Sequence, residues 1–92
     1  MKRIDIIFNQ ALEEDVLAAL QAIPEAQFYT LIPNVKGRGW SDPKMGDAVW
    51  PEFNELLFIY CEHDAAIDRI KAAITALQKK YTQEGLAIFI TG

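Results

Sequence analysis

The pattern of hydrophobic and polar positions predicts four strands along the chain. Short runs rich in β-branched and aromatic residues, bounded by turn-forming residues, are typical of strands. Such runs occupy Arg3–Phe8, Gln27–Val35, Leu56–Cys61 and Leu86–Ile90.

Two stretches between these runs have apolar residues every three or four positions, the spacing of a helix with one buried face. These positions are Leu12, Val16, Ala19, Leu20 and Ile23 in the first stretch, and Ile67, Ile70, Ile74, Leu77 and Tyr81 in the second. Asn9 and Asp64 are the expected N-caps, and Pro24 is expected to end the first helix. The acidic run Glu13–Asp15 is interpreted as a solvated first turn at the positive end of the helix dipole.

The predicted order β-α-β-β-α-β is that of an α+β ferredoxin-like fold. This fold is a four-stranded antiparallel sheet with two helices on one face. The length of 92 residues fits a single domain over 1–92 with one modest core.

The last two strands are apolar on both sides, whereas a sheet covered on one side should alternate apolar and polar residues. In the third strand Leu56, Phe58 and Tyr60 point one way, and Leu57, Ile59 and Cys61 point the other. The fourth strand shows the same pattern. We therefore expect a second copy of the chain to cover the other face, which predicts a homo-oligomer.

Charge and composition exclude several classes of partner. The formal net charge of -4 argues against nucleic acid, because binding to phosphates needs a basic face. No apolar run approaches the ~20 residues of a membrane span, so no membrane insertion is expected. The charged start of the chain lacks the apolar stretch of a signal peptide, which predicts a cytoplasmic protein.

The segment from Val35 to Pro51 is unusual, because it holds three of the five glycines, two of the four prolines and both tryptophans. Connections of this length are often functional. Gly37 and Gly39 are expected to let the strand bend away from the sheet. Trp40 and Trp50 are expected to pack on a neighbouring subunit, a ligand or a partner, and simple burial of the loop is an equally open interpretation.

Four pieces of the chain, taken together, resemble the PII signalling protein family. They are Met1–Asp5, Asp15-Val16 with Ala19-Leu20, Val35–Gly39, and Gly85 followed by Ile88–Ile90. The resemblance covers nearly the whole chain in the right order and spacing. It implies a homotrimer without catalytic activity that binds adenine nucleotides, often with a small metabolite, in clefts between subunits. It also implies an unidentified protein partner such as a membrane transporter, an efflux system or an enzyme.

The resemblance assigns candidate roles to individual residues. The implied ligand-binding residues are Lys36, Gly37, Arg38, Gly39 and Gly85. The loop 40–51 takes the position of the family's partner-binding loop in shortened form, with Trp40, Lys44, Met45, Asp47 and Trp50 as the candidate contacts. Leu86 stands after Gly85 where the family supplies a lysine, and the sequence ends at Gly92 where the family continues into a segment with arginines. These departures predict weak ATP binding and leave the identity of the ligand open.

Two alternatives stand beside this hypothesis. Cys61 and His63 could serve a metal-responsive protein, either CutA-like or associated with efflux, with further ligands from Asp42, Asp47 or symmetry-related copies. The competing interpretation is a buried core cysteine and a helix-capping histidine. An enzyme is not expected, because no nucleophile stands near a base and Phe8–Ala11 lacks the arginine of an acylphosphatase anion cradle.

Overall fold

The computed structural model describes residues 1–38 and 52–92, and these fold in the order β-α-β-β-α-β. The strands are β1 (Lys2–Asn9), β2 (Tyr29–Val35), β3 (Asn54–Cys61) and β4 (Leu86–Thr91). The helices are α1 (Glu13–Leu20) and α2 (Asp64–Lys80), and short 3-10 segments at Gln10–Leu12 and Pro24–Gln27 flank α1. The predicted order of elements is confirmed.

The four strands form one antiparallel sheet in the order β2-β3-β1-β4. The central strand β1 pairs on one side with β3, where Ile4 faces Ile59, and on the other with β4, where Ile4 faces Ile90. Strands β2 and β4 are therefore the edges of the sheet. This arrangement confirms the predicted ferredoxin-like fold.

The core lies between the sheet and the two helices. Alternate residues of β1 and β3 are fully buried there: Ile4, Ile6, Phe8, Leu57 and Ile59. The helices close the core with Val16 and Leu20 from α1 and with Ile67, Ile70 and Ile74 from α2. Burial of each large aliphatic side chain contributes about 1.5–3 kcal/mol, so this layer is the main source of stability. No helix in residues 1–38 and 52–92 is long and apolar enough to span a membrane.

The opposite side of the sheet, which we call the open face, carries no helix from residues 1–38 and 52–92. The strand registers place Phe58 and Phe89 on this face, on either side of Asp5. Phe89 and Tyr60 each remain 54% exposed. The guanidinium of Arg3 pairs with Asp5 at 2.8 Å and lies 4.3 Å from the centre of the Phe58 ring. The expectation that the last two strands are apolar on both sides is confirmed.

The ends of α1 differ from the sequence prediction. Asn9 caps the 3-10 segment rather than α1, because its Oδ1 accepts a hydrogen bond from the Ala11 N–H at 3.0 Å. Helix α1 ends at Leu20, before Pro24, which instead begins the second 3-10 segment. The side-chain amide of Gln27 donates to the carbonyl oxygens of Leu20 and Ile23, and so satisfies acceptors that the short helix leaves unpaired.

The start of α2 also differs from the prediction. His63 occupies the N-cap position and makes no side-chain capping bond, whereas Asp64 is the first helical residue. Asp64 therefore acts through its charge near the positive end of the helix and not as the cap.

Candidate functional site

Four segments meet at one end of the sheet, where β1 and β2 end and β3 and β4 begin. We call it the loop end. The register places Asn9 opposite Asn54, and Val35 opposite the same Asn54 from the other side. The backbone N–H of Asn9 donates to the carbonyl of Gly85 at 3.0 Å. A row across the sheet therefore runs from β2 through Asn54 and Asn9 to Gly85.

A bulge in β2 directs the chain towards this end. The register with β3 shifts between Ile32 and Val35, and Asn34 between them has a φ of 59°, the left-handed conformation that asparagine tolerates better than most residues. The bend was expected at Gly37 and Gly39. Gly37 has no positive φ, so among the described residues the turn is made earlier, at Asn34.

Gly37 has a steric role instead. A Cβ atom at this position would lie 3.0 Å from Nδ2 of Asn54, tighter than most real contacts, so a side chain here would require the Asn54 amide to shift. Lys36 and Arg38 flank Gly37, and both are exposed. Because Gly37 lies close to Asn54 of β3, its neighbours Lys36 and Arg38 lie at the loop end.

The structure places four of the five candidate ligand-binding residues at this end: Lys36, Gly37, Arg38 and Gly85. Gly37 and Gly85 lie on opposite edges of the sheet, three strand spacings or roughly 14 Å apart. Gly39 and the candidate partner contacts Trp40, Lys44, Met45, Asp47 and Trp50 lie outside the described residues, and their roles stay predictions.

The side-chain amide of Asn9 joins the neighbouring segments, which the sequence did not indicate. Its Nδ2 donates to Oε2 of Glu52 at 2.7 Å and to Oε2 of Glu84 at 2.9 Å. Asn9 is 2% exposed. In the sequence Asn9 was a helix cap, and no local pattern links it to residues 43 and 75 positions away.

A second pair of carboxyl groups lies at the same end. Glu55, one residue into β3, is 6% exposed and hydrogen-bonded to Glu13 of α1. Burial, followed by the hydrogen bond and repulsion from Glu13, raises the pKa of Glu55 to about 7. Its Oε1 has no hydrogen-bond partner among the described residues. Glu13 was expected to be part of a solvated turn, but it is half-buried because it faces Glu55.

Cys61 and His63 lie at the far end of β3, roughly 23 Å from Asn54 for a strand of this length. Cys61 is buried, and its thiol donates to the backbone carbonyl of His63 at 3.7 Å. Within residues 1–38 and 52–92, no three His, Cys, Asp or Glu side chains are grouped to hold a metal ion. The metal-binding alternative stays a prediction that needs ligands from residues 39–51 or from another copy.

Fold and loop end together define a class of protein, a ferredoxin-like domain that gathers its glycine-bearing loops at one end of an antiparallel sheet. The model of the family "Nitrogen regulatory protein P-II" matches residues 1–92, and the chain belongs to this family. The family is one of regulatory signalling proteins.

Solved structures of PII-like proteins have the same fold. One is CPII from Thiomonas intermedia K12 bound to ADP and bicarbonate, with 16% identity and a TM-score of 0.74 over 98% of this chain and 82% of that one. The same protein bound to ADP, AMP and bicarbonate gives 15% identity and a TM-score of 0.75, with the same coverage of 98% and 82%. A PII-like signalling protein from Thermus thermophilus gives 17% identity and a TM-score of 0.59 over 98% and 83%. No curated protein is significantly similar to this sequence.

Proposed function

We propose that this protein is a trimeric PII-like regulator that binds a small anionic ligand in clefts between its subunits and contacts a partner protein through residues 40–51. One observation carries the proposal: in a member of the PII family, the cations Lys36 and Arg38 and the turn at Gly85 lie at the same end of the sheet. The proposed role is regulatory and involves no catalysis.

The chemistry of the ligand follows from the charges at this site. The related CPII binds ADP, AMP and bicarbonate, all of which are anions. Lys36 and Arg38 supply positive charge, and a guanidinium is well suited to phosphate or carboxylate oxygens. Because Leu86 follows Gly85 in place of the family's lysine, we propose ligands of lower charge than ATP, with ADP and AMP as the first candidates.

The open face supports the proposed trimer. It holds the exposed aromatic rings of Tyr60 and Phe89 on the side of the sheet that neither α1 nor α2 covers. Apolar surface of this kind is typical of an interface between subunits. Association of three sheets would bury these rings and would bring the loop ends of neighbouring subunits together.

Calorimetric titration of the protein with ADP, AMP and bicarbonate tests the ligand proposal. Arg38→Ala is expected to weaken ADP binding about tenfold, because it removes a charge-assisted contact worth about 1.4 kcal/mol. Arg69→Ala is the matched control, since Arg69 pairs with Glu25 at 3.0 Å outside the loop end and its loss should leave affinity unchanged. Absence of binding to all three ligands, or equal affinity in both variants, would contradict the proposal.

Tryptophan fluorescence tests whether the ligand acts on residues 40–51. Both tryptophans of the chain, Trp40 and Trp50, lie in this segment, so the indole emission reports on it alone. We expect ADP to change the emission with the same dissociation constant that calorimetry gives. The variants Trp40→Phe and Trp50→Phe should each show the part of this change that comes from the remaining tryptophan. Constant emission at saturating ADP would mean that ligand binding does not act on residues 40–51, and would contradict this part of the proposal.

A further inference from the structure

The amide of Asn9 lies between two carboxylates that come from distant parts of the chain. Glu52 precedes β3, and Glu84 immediately precedes Gly85. Both accept from the single Nδ2 atom, at 2.7 and 2.9 Å. Hydrogen bonds to ionised acceptors at these distances belong to the strong class.

Both polar atoms of this side chain are hydrogen-bonded. The two N–H groups bind the two carboxylates, and Oδ1 accepts from the N–H of Ala11 at 3.0 Å. The side chain is almost entirely buried, so loss of these partners would leave polar groups without water to replace them. The position is therefore sensitive to any change of the amide.

The backbone around Asn9 makes bonds to the same two segments. The N–H of Asn9 donates to the carbonyl of Gly85, and the N–H of Gln10 donates to the carbonyl of Phe53, each at 3.0 Å. Side chain and backbone thus tie the end of β1 both to the turn at Gly85 and to the start of β3. Asn54 follows Phe53 in the chain and packs against Gly37. The end of β1 is therefore also connected to the segment that carries Lys36 and Arg38.

The amide also neutralises a repulsion. Two carboxylates that share one donor atom lie close together, and like charges at such distances repel each other. The partial positive charge of the Asn9 N–H groups offsets this repulsion. Loss of the amide would leave this repulsion acting on the turn at Gly85 and on the start of β3, which the backbone bonds of Asn9 and Gln10 still connect to β1.

We propose that Asn9 is a positioning residue for the ligand site: its amide fixes the distance between the Gly85 turn and the Lys36–Arg38 segment by holding Glu52 and Glu84 together. This inference rests on the proposed function for its effect on a ligand, while its effect on the two segments is independent of any ligand. Asn9 itself has no role in contacting the ligand.

A swap of donor and acceptor tests the inference. Asn9→Asp keeps an oxygen to cap Ala11 but replaces the donor with a third carboxylate, so ADP affinity should fall at least tenfold. Glu84→Gln keeps an acceptor for Asn9 and should stay within twofold of wild type. In the double variant the amide introduced at position 84 faces the carboxylate introduced at position 9, so donor and acceptor are exchanged. We expect it to recover at least threefold of the affinity that Asn9→Asp loses.

The matched control is Gln78→Glu, which makes the same amide-to-carboxylate change close to the start of β4. Gln78 donates to the carbonyl of Leu86 at 3.0 Å and does not join the two carboxylates. Its variant should lose stability but keep ADP affinity within twofold. A loss in Gln78→Glu equal to that in Asn9→Asp, or additive effects without recovery in the double variant, would overturn the inference, because general destabilisation would then be the cause.

Amide hydrogen exchange separates this inference from the proposed function. In the protein without ADP, the Gln10 N–H should exchange at least tenfold faster in Asn9→Asp and at the wild-type rate in Gln78→Glu. If wild type binds no ADP, the proposed function fails, and the exchange of Gln10 still decides whether Asn9 holds the two segments. If Asn9→Asp does not fold, Glu84→Ala removes the acceptor on the Gly85 side. Unchanged exchange of the Asn9 N–H, which donates to the carbonyl of Gly85, would overturn the inference in that variant.

Discussion

Glu55 departs from the usual behaviour of an acidic residue, which is to be exposed or paired with a cation. Acidic residues are rarely buried without a cationic partner, yet Glu55 is buried against another carboxyl group. In the folded state the pKa of Glu55 is about 7, well above the usual 4.5, so the carboxyl group keeps its proton until the pH approaches 7. The folded protein therefore binds more protons than the unfolded chain between these two pH values.

This linkage predicts that the free energy of unfolding decreases as the pH rises from about 4.5 through about 7. Glu55→Gln mimics the protonated form, so the variant should exceed wild type by roughly 3 kcal/mol at pH 8.5 and match it near pH 4.5. Urea denaturation at both pH values, at one protein concentration, measures the difference. Glu62→Gln, an exposed position, should follow wild type throughout. A gap between Glu55→Gln and wild type that does not change with pH would contradict the assignment.

Among the elements, α2 follows its sequence pattern and α1 does not. Three residues of the stripe predicted for α2 are buried, namely Ile67, Ile70 and Ile74. Leu77 is half-buried, and Tyr81 lies just outside the helix as its C-cap. The pattern assigned to α1 begins and ends in 3-10 segments, because Asn9 caps the first and Pro24 starts the second. Apolar periodicity therefore placed most of the buried side chains correctly but did not distinguish an α-helix from a shorter helix with 3-10 ends.

Helix α2 should accordingly carry much of the stability of the core. Ile70 is fully buried, and Ile70→Ala is expected to lower the free energy of unfolding by about 2–5 kcal/mol, from lost burial and the cavity that remains. Thr75→Ala, on the exposed side of the same helix, should change it by less than about 0.5 kcal/mol. Chemical denaturation of both variants compares the two faces. Equal losses would mean that the helix does not present the stripe to the core.

At the scale of the whole molecule, the two faces of the sheet have different consequences. Ile59 points into the core and is fully buried, whereas its neighbour Phe58 lies on the open face beside Asp5 and Arg3. Acidic substitutions at these adjacent positions should therefore fail in different ways. Ile59→Glu should unfold the subunit, because it buries a charge without a partner.

Phe58→Glu should instead separate the subunits and leave each one folded, because it adds a second carboxylate next to Asp5 at the proposed interface. Light scattering at micromolar concentration should give the mass of a trimer for wild type and of a monomer for Phe58→Glu, with near-native circular dichroism in both. Ala72→Glu, on the exposed side of α2, is the control and should remain a trimer. A wild-type monomer would contradict the proposed assembly.

The sequence by itself determined the order of the elements and the faces of the strands. The division of β3 side chains between two faces and the spacing of the isoleucines in α2 are local properties, set by the period of two in a strand and 3.6 in a helix. They do not depend on where the remaining elements pack. The segment Lys36–Arg38 and Gly85 were singled out by resemblance to the PII family, which the family match over residues 1–92 confirms, while their role as a ligand site stays a proposal.

Only the tertiary structure decided which of these residues meet. It brought Gly85 to the end of β1 and placed Cys61 at the opposite end of β3 from Asn54. The proposed ligand site and the alternative metal site therefore lie at opposite ends of the sheet. It also joined Asn9 to Glu52 and Glu84, which are 43 and 75 residues away in the chain. The physical reason is that a side-chain hydrogen bond or a raised pKa depends on the distance and burial that the register of the sheet imposes, and neither quantity is encoded in the residues next to Asn9.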